Sequence, residues 1–145
     1  MFKSILVSFD GSPGAEAALS RASELAQLCG SELVLLTVYR HHSLLEASMH
    51  VMHSEKPEKL DQIMRNHAKE VAEHGKSLAA ESGIAAPRAF VKARPVARTI
   101  TGFAKERGYD LIVMGSRGLG SLEGSLLGSV SHKVTSLAET PVLIV

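Results

Sequence analysis

The sequence predicts an α/β fold: an open five-stranded parallel sheet with helices on both faces. Three observations lead there. Short apolar runs alternate along the chain with longer stretches of helical periodicity, in the order β-α-β-α-β-α-β-α-β. The apolar runs are continuous rather than alternating in polarity, as in strands buried on both faces. Each pair of successive runs is joined by a helical stretch, which makes the connections crossovers and the sheet parallel, with right-handed connections.

The elements follow in order. Residues 5–9 form the first strand, which ends at Asp10-Gly11-Ser12-Pro13-Gly14, a dense turn signal. Ser12 followed by Pro13 reads as an N-cap and first helical residue. Ala15, Ala18, Leu19, Ala22, Leu25, Ala26 and Cys29 then recur on one face of a helix that Gly30 stops. Cys29 lies on that stripe, so a buried, inert thiol is the better reading than a reactive one. Residues 33–39 are the second strand. Residues 40–55 are polar and His-rich without a sustained period, and positions 43–51 have room for a helical turn or two. A long helix runs from Leu60 to Ser82-Gly83, with Leu60, Ile63, Met64, His67, Val71, Leu78 and Ala79 as its apolar seam. Residues 89–91 make a short third strand. Pro95 opens a helix carrying Val96, Ile100, Phe103 and Ala104, which Gly108 stops. Residues 111–114 are the fourth strand. Leu127, Val130, Val134, Leu137 and Ala138 mark the last helix, and residues 141–145 the fifth strand.

Composition narrows the function classes. The chain has 145 residues, which predicts one domain spanning 1–145. Lys and Arg number 16 against 15 Asp and Glu, a net charge of +1, so no basic excess points to nucleic acid or an anionic membrane. A single Cys rules out a disulfide within the chain. No apolar run approaches the ~20 residues of a membrane span. The opening residues are too quickly polar for a signal peptide, and a cytoplasmic protein is expected.

Ligands of open α/β sheets bind beyond the carboxyl ends of the strands, where the strand order reverses. With an order of 3-2-1-4-5, that point lies between the first and fourth strands, which end at Asp10 and Gly115. A carboxylate would then face a loop holding Gly115, Gly118, Gly120, Gly124 and Gly128. Glycine allows positive φ and close approach of backbone N–H groups to an anion. Ser129 and Ser131 follow at the start of a helix, where N–H groups are unpaired and the dipole is positive. These residues can bind an anion, or they can make a loop of ordinary turn geometry with a capped helix. Asp10 likewise can contact a ligand or close an Asx-turn. There is no Gly-Lys-Ser/Thr of a Walker A loop, and Glu123 stands where a dinucleotide fingerprint needs its third glycine. A phospho-acceptor Asp at the end of the third strand is also missing; Lys92 and Ala93 stand there. His41, His42, His50 and His53 lack a supporting Cys or carboxylate pattern and read as surface histidines rather than metal ligands. His67 and His74 read as facing a helix seam. No nucleophile–base pair stands out, so no catalytic residue is assigned.

Gly115-Ser116-Arg117-Gly118, then nine residues, then Gly128-Ser129 with Ser131 following, resembles the G-x2-G-x9-G-S/T motif of the universal stress protein family. Residues 7–12 (VSFDGS), 111–116 (LIVMGS) and 140–145 (TPVLIV) resemble that family's first strand and turn, fourth strand and last strand. The similarity spans the whole chain. Residues 41–48 (HHSLLEAS) also resemble a subgroup linked to tripartite transporters for compatible solutes. The resemblance implies a Rossmann-like sheet of order 3-2-1-4-5 and a site for ATP, with Mg²⁺ accompanying the nucleotide. It implies that Asp10 contacts the nucleoside and that Val38, at the end of the second strand, offers backbone contacts to adenine. Gly115, Gly118 and Gly128 would hold the phosphates with Ser129 and Ser131. It further implies a homodimer paired through the C-terminal strand, a regulatory or sensing role, and a regulatory protein or transporter as partner. Slow ATP hydrolysis and a nucleotide-free scaffold are the alternatives. Where the family often has Gly ahead of the proline after the third strand, this chain has Ala93-Arg94-Pro95; Arg94 then serves either a phosphate or only the solvated surface.

Overall fold

The computed structural model describes residues 1–40, 57–119 and 127–145. In chain order the elements are β1 (Ser4–Ser8), α1 (Pro13–Cys29), β2 (Glu32–Tyr39), α2 (Pro57–Glu81), β3 (Arg88–Ala93), α3 (Val96–Arg107), β4 (Leu111–Met114), α4 (Ser129–Leu137) and β5 (Val142–Ile144). The sheet order is β3-β2-β1-β4-β5, and every neighbouring pair is parallel.

Side chains alternate across a strand, so each apolar run feeds two cores. Ile5, Val7, Leu33, Leu35, Leu111 and Val113 point to one face and meet Ala15, Ala18, Leu19, Ala22 and Ala26 of α1 and Ala79 of α2. Leu6, Val34, Leu36, Ile112 and Met114 point to the other and meet Ile100, Phe103 and Ala104 of α3 and Val134 of α4. This two-sided covering is why the runs are continuous. Each fully buried Leu or Ile contributes about 1.5–3 kcal/mol.

Local chemistry sets the helix ends. The Ser12 hydroxyl accepts from Ala15 N at 3.2 Å with Pro13 in the first turn, as the sequence predicts. Gly30 and Gly108 end α1 and α3 in the left-handed region, at φ 67° and 71°. Asp110, just before β4, accepts from Lys3 N at 2.9 Å and Ser4 N at 3.1 Å, which staples the start of β1 to β4. The Lys3 backbone N–H chiefly holds its carboxyl below the usual carboxylate range; burial opposes this, and the Ser4 N–H adds to it.

Three expectations change. The seam of α2 keeps Val71, Leu78 and Ala79 as predicted, but its buried centre is made with Ala68, Ala72 and Gly75; Ile63 is 45% exposed and His67 is exposed. Small residues let α2 approach closely, and a Cβ on Gly75 would fall 2.6 Å from Leu35 Cδ2 and 2.8 Å from Phe9 Cδ1. His74, although exposed, does face the seam with α1: its Nε2 lies 3.4 Å from Glu16 Oε1 and its ring centroid 6.5 Å from that of Phe9. β3 is longer than its apolar stretch, because Lys92 and Ala93 continue the register opposite Val38 and Tyr39. Cys29 is half-buried rather than buried, at the C-terminal end of the α1 stripe next to exposed Leu28.

Candidate functional site

β1 and β4 lie side by side, and their connections leave to opposite faces of the sheet, α1 to one and α4 to the other. A crevice therefore opens at their carboxyl ends. Asp10 follows β1 into it. Its Oδ1 accepts from Ser12 N at 2.9 Å, and its Oδ2 accepts from Leu119 N at 3.2 Å. The carboxylate thus closes an Asx-turn and at the same time clamps the loop after β4. Gly118 sits against it: a Cβ there would stand 2.6 Å from Asp10 Oδ2. Gly118 is not among the positive-φ glycines, so what this position needs is space.

The other glycines have different reasons. A Cβ on Gly115 would lie 2.7 Å from Gly14 C, and one on Gly14 would lie 2.7 Å from Arg117 O. The turn opening α1 and the loop leaving β4 pack backbone against backbone. Gly128 N donates to Ser116 O at 2.7 Å, and the Ser131 hydroxyl donates to the same oxygen at 2.7 Å. Ser131 is 3% exposed, so its hydroxyl pins the start of α4 to the β4 loop. Gly128 caps α4 without a side-chain acceptor, and Ser129 stands exposed in the first turn. The N–H groups of that turn are the ones a helix leaves unpaired.

All seven residues singled out from the sequence line one recess of about 130 Å³: Asp10, Val38, Gly115, Gly118, Gly128, Ser129 and Ser131. Phe9 and Met114 belong to its apolar part. Val96, Ser129 and Val130 are shared with a larger cleft of about 870 Å³, whose rim carries Arg40, Arg94, Arg98 and Lys133. Sequence reasoning singled out only Arg94 of these. Arg98 left a readable signal: a cation in the first turn of a helix with no acidic residue there opposes the dipole.

The profile of the universal stress protein family matches residues 1–145. The chain belongs to the universal stress protein family. The universal stress protein YxiE of Bacillus subtilis is 39% identical over 148 residues, covering 100% of this chain and 99% of the relative. Among solved structures, protein MJ0577 of Methanocaldococcus jannaschii superimposes with a TM-score of 0.82 at 30% identity, over 100% of this chain and 96% of that one. The Archaeoglobus fulgidus universal stress protein in complex with dAMP gives 0.71 at 26% identity, over 99% and 97%.

As in the universal stress protein motif, the two glycine-bearing ends of the loop meet in this chain, although positions 120–126 between them lie outside the described residues. The His-rich stretch, the two helical turns considered for 43–51 and the transporter-linked segment 41–48 also lie outside them. Among the described residues no group of three His, Cys, Asp or Glu could hold a metal, and no helix is long and apolar enough to cross a membrane.

Proposed function

We propose that this universal stress protein is an ATP-binding regulatory or sensing module of a single domain, working in the cytoplasm. The observation that carries the reading is the convergence of Asp10, Val38, Gly118, Gly128 and Ser129 on one recess at the switch point, with a glycine at 118 that no side chain can replace without displacing Asp10. The Archaeoglobus relative that binds dAMP supports adenine as the base. Val38 and Phe9 give the base an apolar seat. Asp10 stands where a ribose hydroxyl can donate to it, and the first turn of α4 offers N–H groups to phosphate. Gly115 and Ser131 contribute by fixing backbone positions: one permits the contact with Gly14, the other holds α4.

Mg²⁺ fits this site as a companion of the phosphates. Asp10 is the one carboxylate in the described lining, and both its oxygens already accept backbone N–H groups. A cation that keeps several waters and binds mainly through substrate phosphates suits such a donor set.

Calorimetry with ATP, AMP, NADH and FMN, with and without Mg²⁺, tests the reading. ATP is expected to bind and the two redox cofactors are not. Absence of ATP binding at millimolar ligand would remove the nucleotide module. Mass spectrometry of natively purified protein should show an adenine nucleotide carried through purification.

A further inference from the structure

The larger cleft carries a charge pattern that adenine recognition does not require. The chain as a whole balances 16 Lys and Arg against 15 Asp and Glu. Around the cleft the balance fails. Arg40 follows β2, Arg94 follows β3, Arg98 lies in the first turn of α3 and Lys133 lies in α4, so four separate elements each bring one cation to the same rim. No Asp or Glu is in the described lining. Elsewhere on the surface Arg21, Lys76, Arg88 and Lys105 pair with Glu24, Glu73, Glu32 and Glu139. Among the described residues, none of the four cations at the cleft has such a partner.

Like charges brought to one concavity repel, and the low-dielectric floor beneath them focuses their field outward. The arrangement is unfavourable empty and favourable around an anion. Arg98 adds to the effect, because the N-terminal end of α3 is itself positive and Pro95 supplies no side-chain acceptor to offset it. Apart from Ser129, the uncharged part of the described lining is aliphatic and holds no aromatic ring for a second base.

Size decides what kind of anion. The cations ring a cleft of about 870 Å³, far more room than a single phosphate fills. The recess of about 130 Å³ is in turn smaller than the ~300–1,000 Å³ usual for small-molecule sites. A nucleotide seated on Val38 and Asp10 must therefore extend past Val96, Ser129 and Val130 into the cleft.

We propose that the cleft is an oligophosphate subsite that takes a linear chain of two or more phosphate groups. Arg94 and Arg98 present planar guanidinium forks suited to bidentate phosphate contacts, while Lys133 and Arg40 act at the rim. Where the chain is the tail of a nucleotide, the proposal rests on the nucleotide reading above. A free inorganic oligophosphate offers the same chemistry.

The test is calorimetric titration of the full chain with AMP, ATP and inorganic tripolyphosphate, for wild type and for the Arg94→Gln/Arg98→Gln double variant. Both arginines are exposed, so the variant is expected to fold, with an unchanged circular dichroism spectrum. Wild type should prefer ATP over AMP by about tenfold or more, and the variant should lose that preference while binding AMP unchanged. Tripolyphosphate that binds wild type alone and fails with the variant assigns the subsite to free oligophosphate as well. Tripolyphosphate that does not bind, with the ATP preference intact, restricts the subsite to nucleotide tails. Equal affinity of wild type for AMP and ATP without tripolyphosphate binding overturns the subsite and spares the nucleotide reading, as does a variant that matches wild type with every ligand. Tripolyphosphate binding without AMP or ATP binding overturns the nucleotide reading and spares the subsite. Binding of none of the three overturns both.

Discussion

Asp10 joins two loops through one carboxylate, and Gly118 exists in the form that lets it do so. Asp10→Ala removes the acceptor for Ser12 N and Leu119 N at once. The group is half-buried, so the expected loss of stability is about 1–2 kcal/mol, and adenosine should bind more weakly along with ATP. Gly118→Val acts on the same contact from the other side. Its Cβ would press on Asp10 Oδ2, so φ strain is not needed for the effect, and Gly118→Ala should show a milder form of it. ATP affinity of folded Gly118→Val should fall by about tenfold or more. Unchanged ATP affinity in calorimetry would mean that the close approach of Gly118 to Asp10 serves the fold and not a ligand. Asp110 illustrates a carboxylate with a purely structural task. Its folded pKa lies below the unfolded value of about 3.9, so its contribution is present above that pH and is lost as pH falls through the folded value. Urea titrations should show Asp110→Asn less stable than wild type at pH 7 by up to about 1 kcal/mol, with the gap closing below about pH 4. A gap that stays constant with pH would contradict the staple.

At the scale of elements, α2 tests how far sequence patterns reach. Its register on the sheet depends on Gly75, whose missing side chain leaves room for the fully buried Leu35 and Phe9. Gly75→Val should destabilise by about 1–3 kcal/mol through overpacking, measured as a lower urea midpoint. A midpoint equal to wild type would show that the seam can open. Val71, Leu78 and Ala79 were legible, but Ala68, Ala72 and Gly75 were missed because Ala and Gly score weakly in any apolar pattern, while Ile63 and His67 fall at the right spacing but outside the contact. The strands were legible because both faces are covered. β3 was only half legible, since its pairing is made by backbone and Lys92 carries no apolar signal. β5 raises a different question. Pro141 O, Val145 N and Val145 O bond toward β4, so the backbone groups of Val142 and Ile144 point to the open edge. Leu143 and Val145 remain 38% and 36% exposed on and beside this strand. An unpaired apolar edge invites a second strand, and we propose that a second copy supplies it about a two-fold axis. Sedimentation at high micromolar concentration should give a dimer, weakened by Ile144→Pro, which removes an outward N–H. A wild-type monomer at that concentration would refute the pairing.

For the whole molecule, the recess was legible because its residues sit at fixed points of the topology: the end of β1, the end of β2, and the two ends of the glycine-rich loop. What those residues do locally was not. Nothing in the sequence says that Gly115 meets Gly14, or that the Ser131 hydroxyl is spent on Ser116 O, since both depend on which backbones the fold brings into contact. The basic rim was hidden for the same reason, because Arg40, the Arg94 and Arg98 pair, and Lys133 come from three distant stretches of the chain. On the proposed reading, recess and rim hold a nucleotide but are poorly equipped to break it. Hydrolysis needs a group that orients the attacking water. The described lining of the recess has no His, and its one carboxylate already bridges two loops. Phosphate release should therefore stay far below the ~10 s⁻¹ of a typical enzyme. Binding should instead appear as stability. ATP at a hundred times its Kd adds about 2.7 kcal/mol by linkage, which raises Tm by roughly 5–10 °C in a chain of this size. A thermal scan against ATP concentration, run beside a phosphate-release assay over hours, separates the two behaviours. A rising Tm with negligible release supports a sensor. Turnover near the typical rate that survives repurification would make the protein an enzyme, and a flat Tm would mean that ATP is not its ligand.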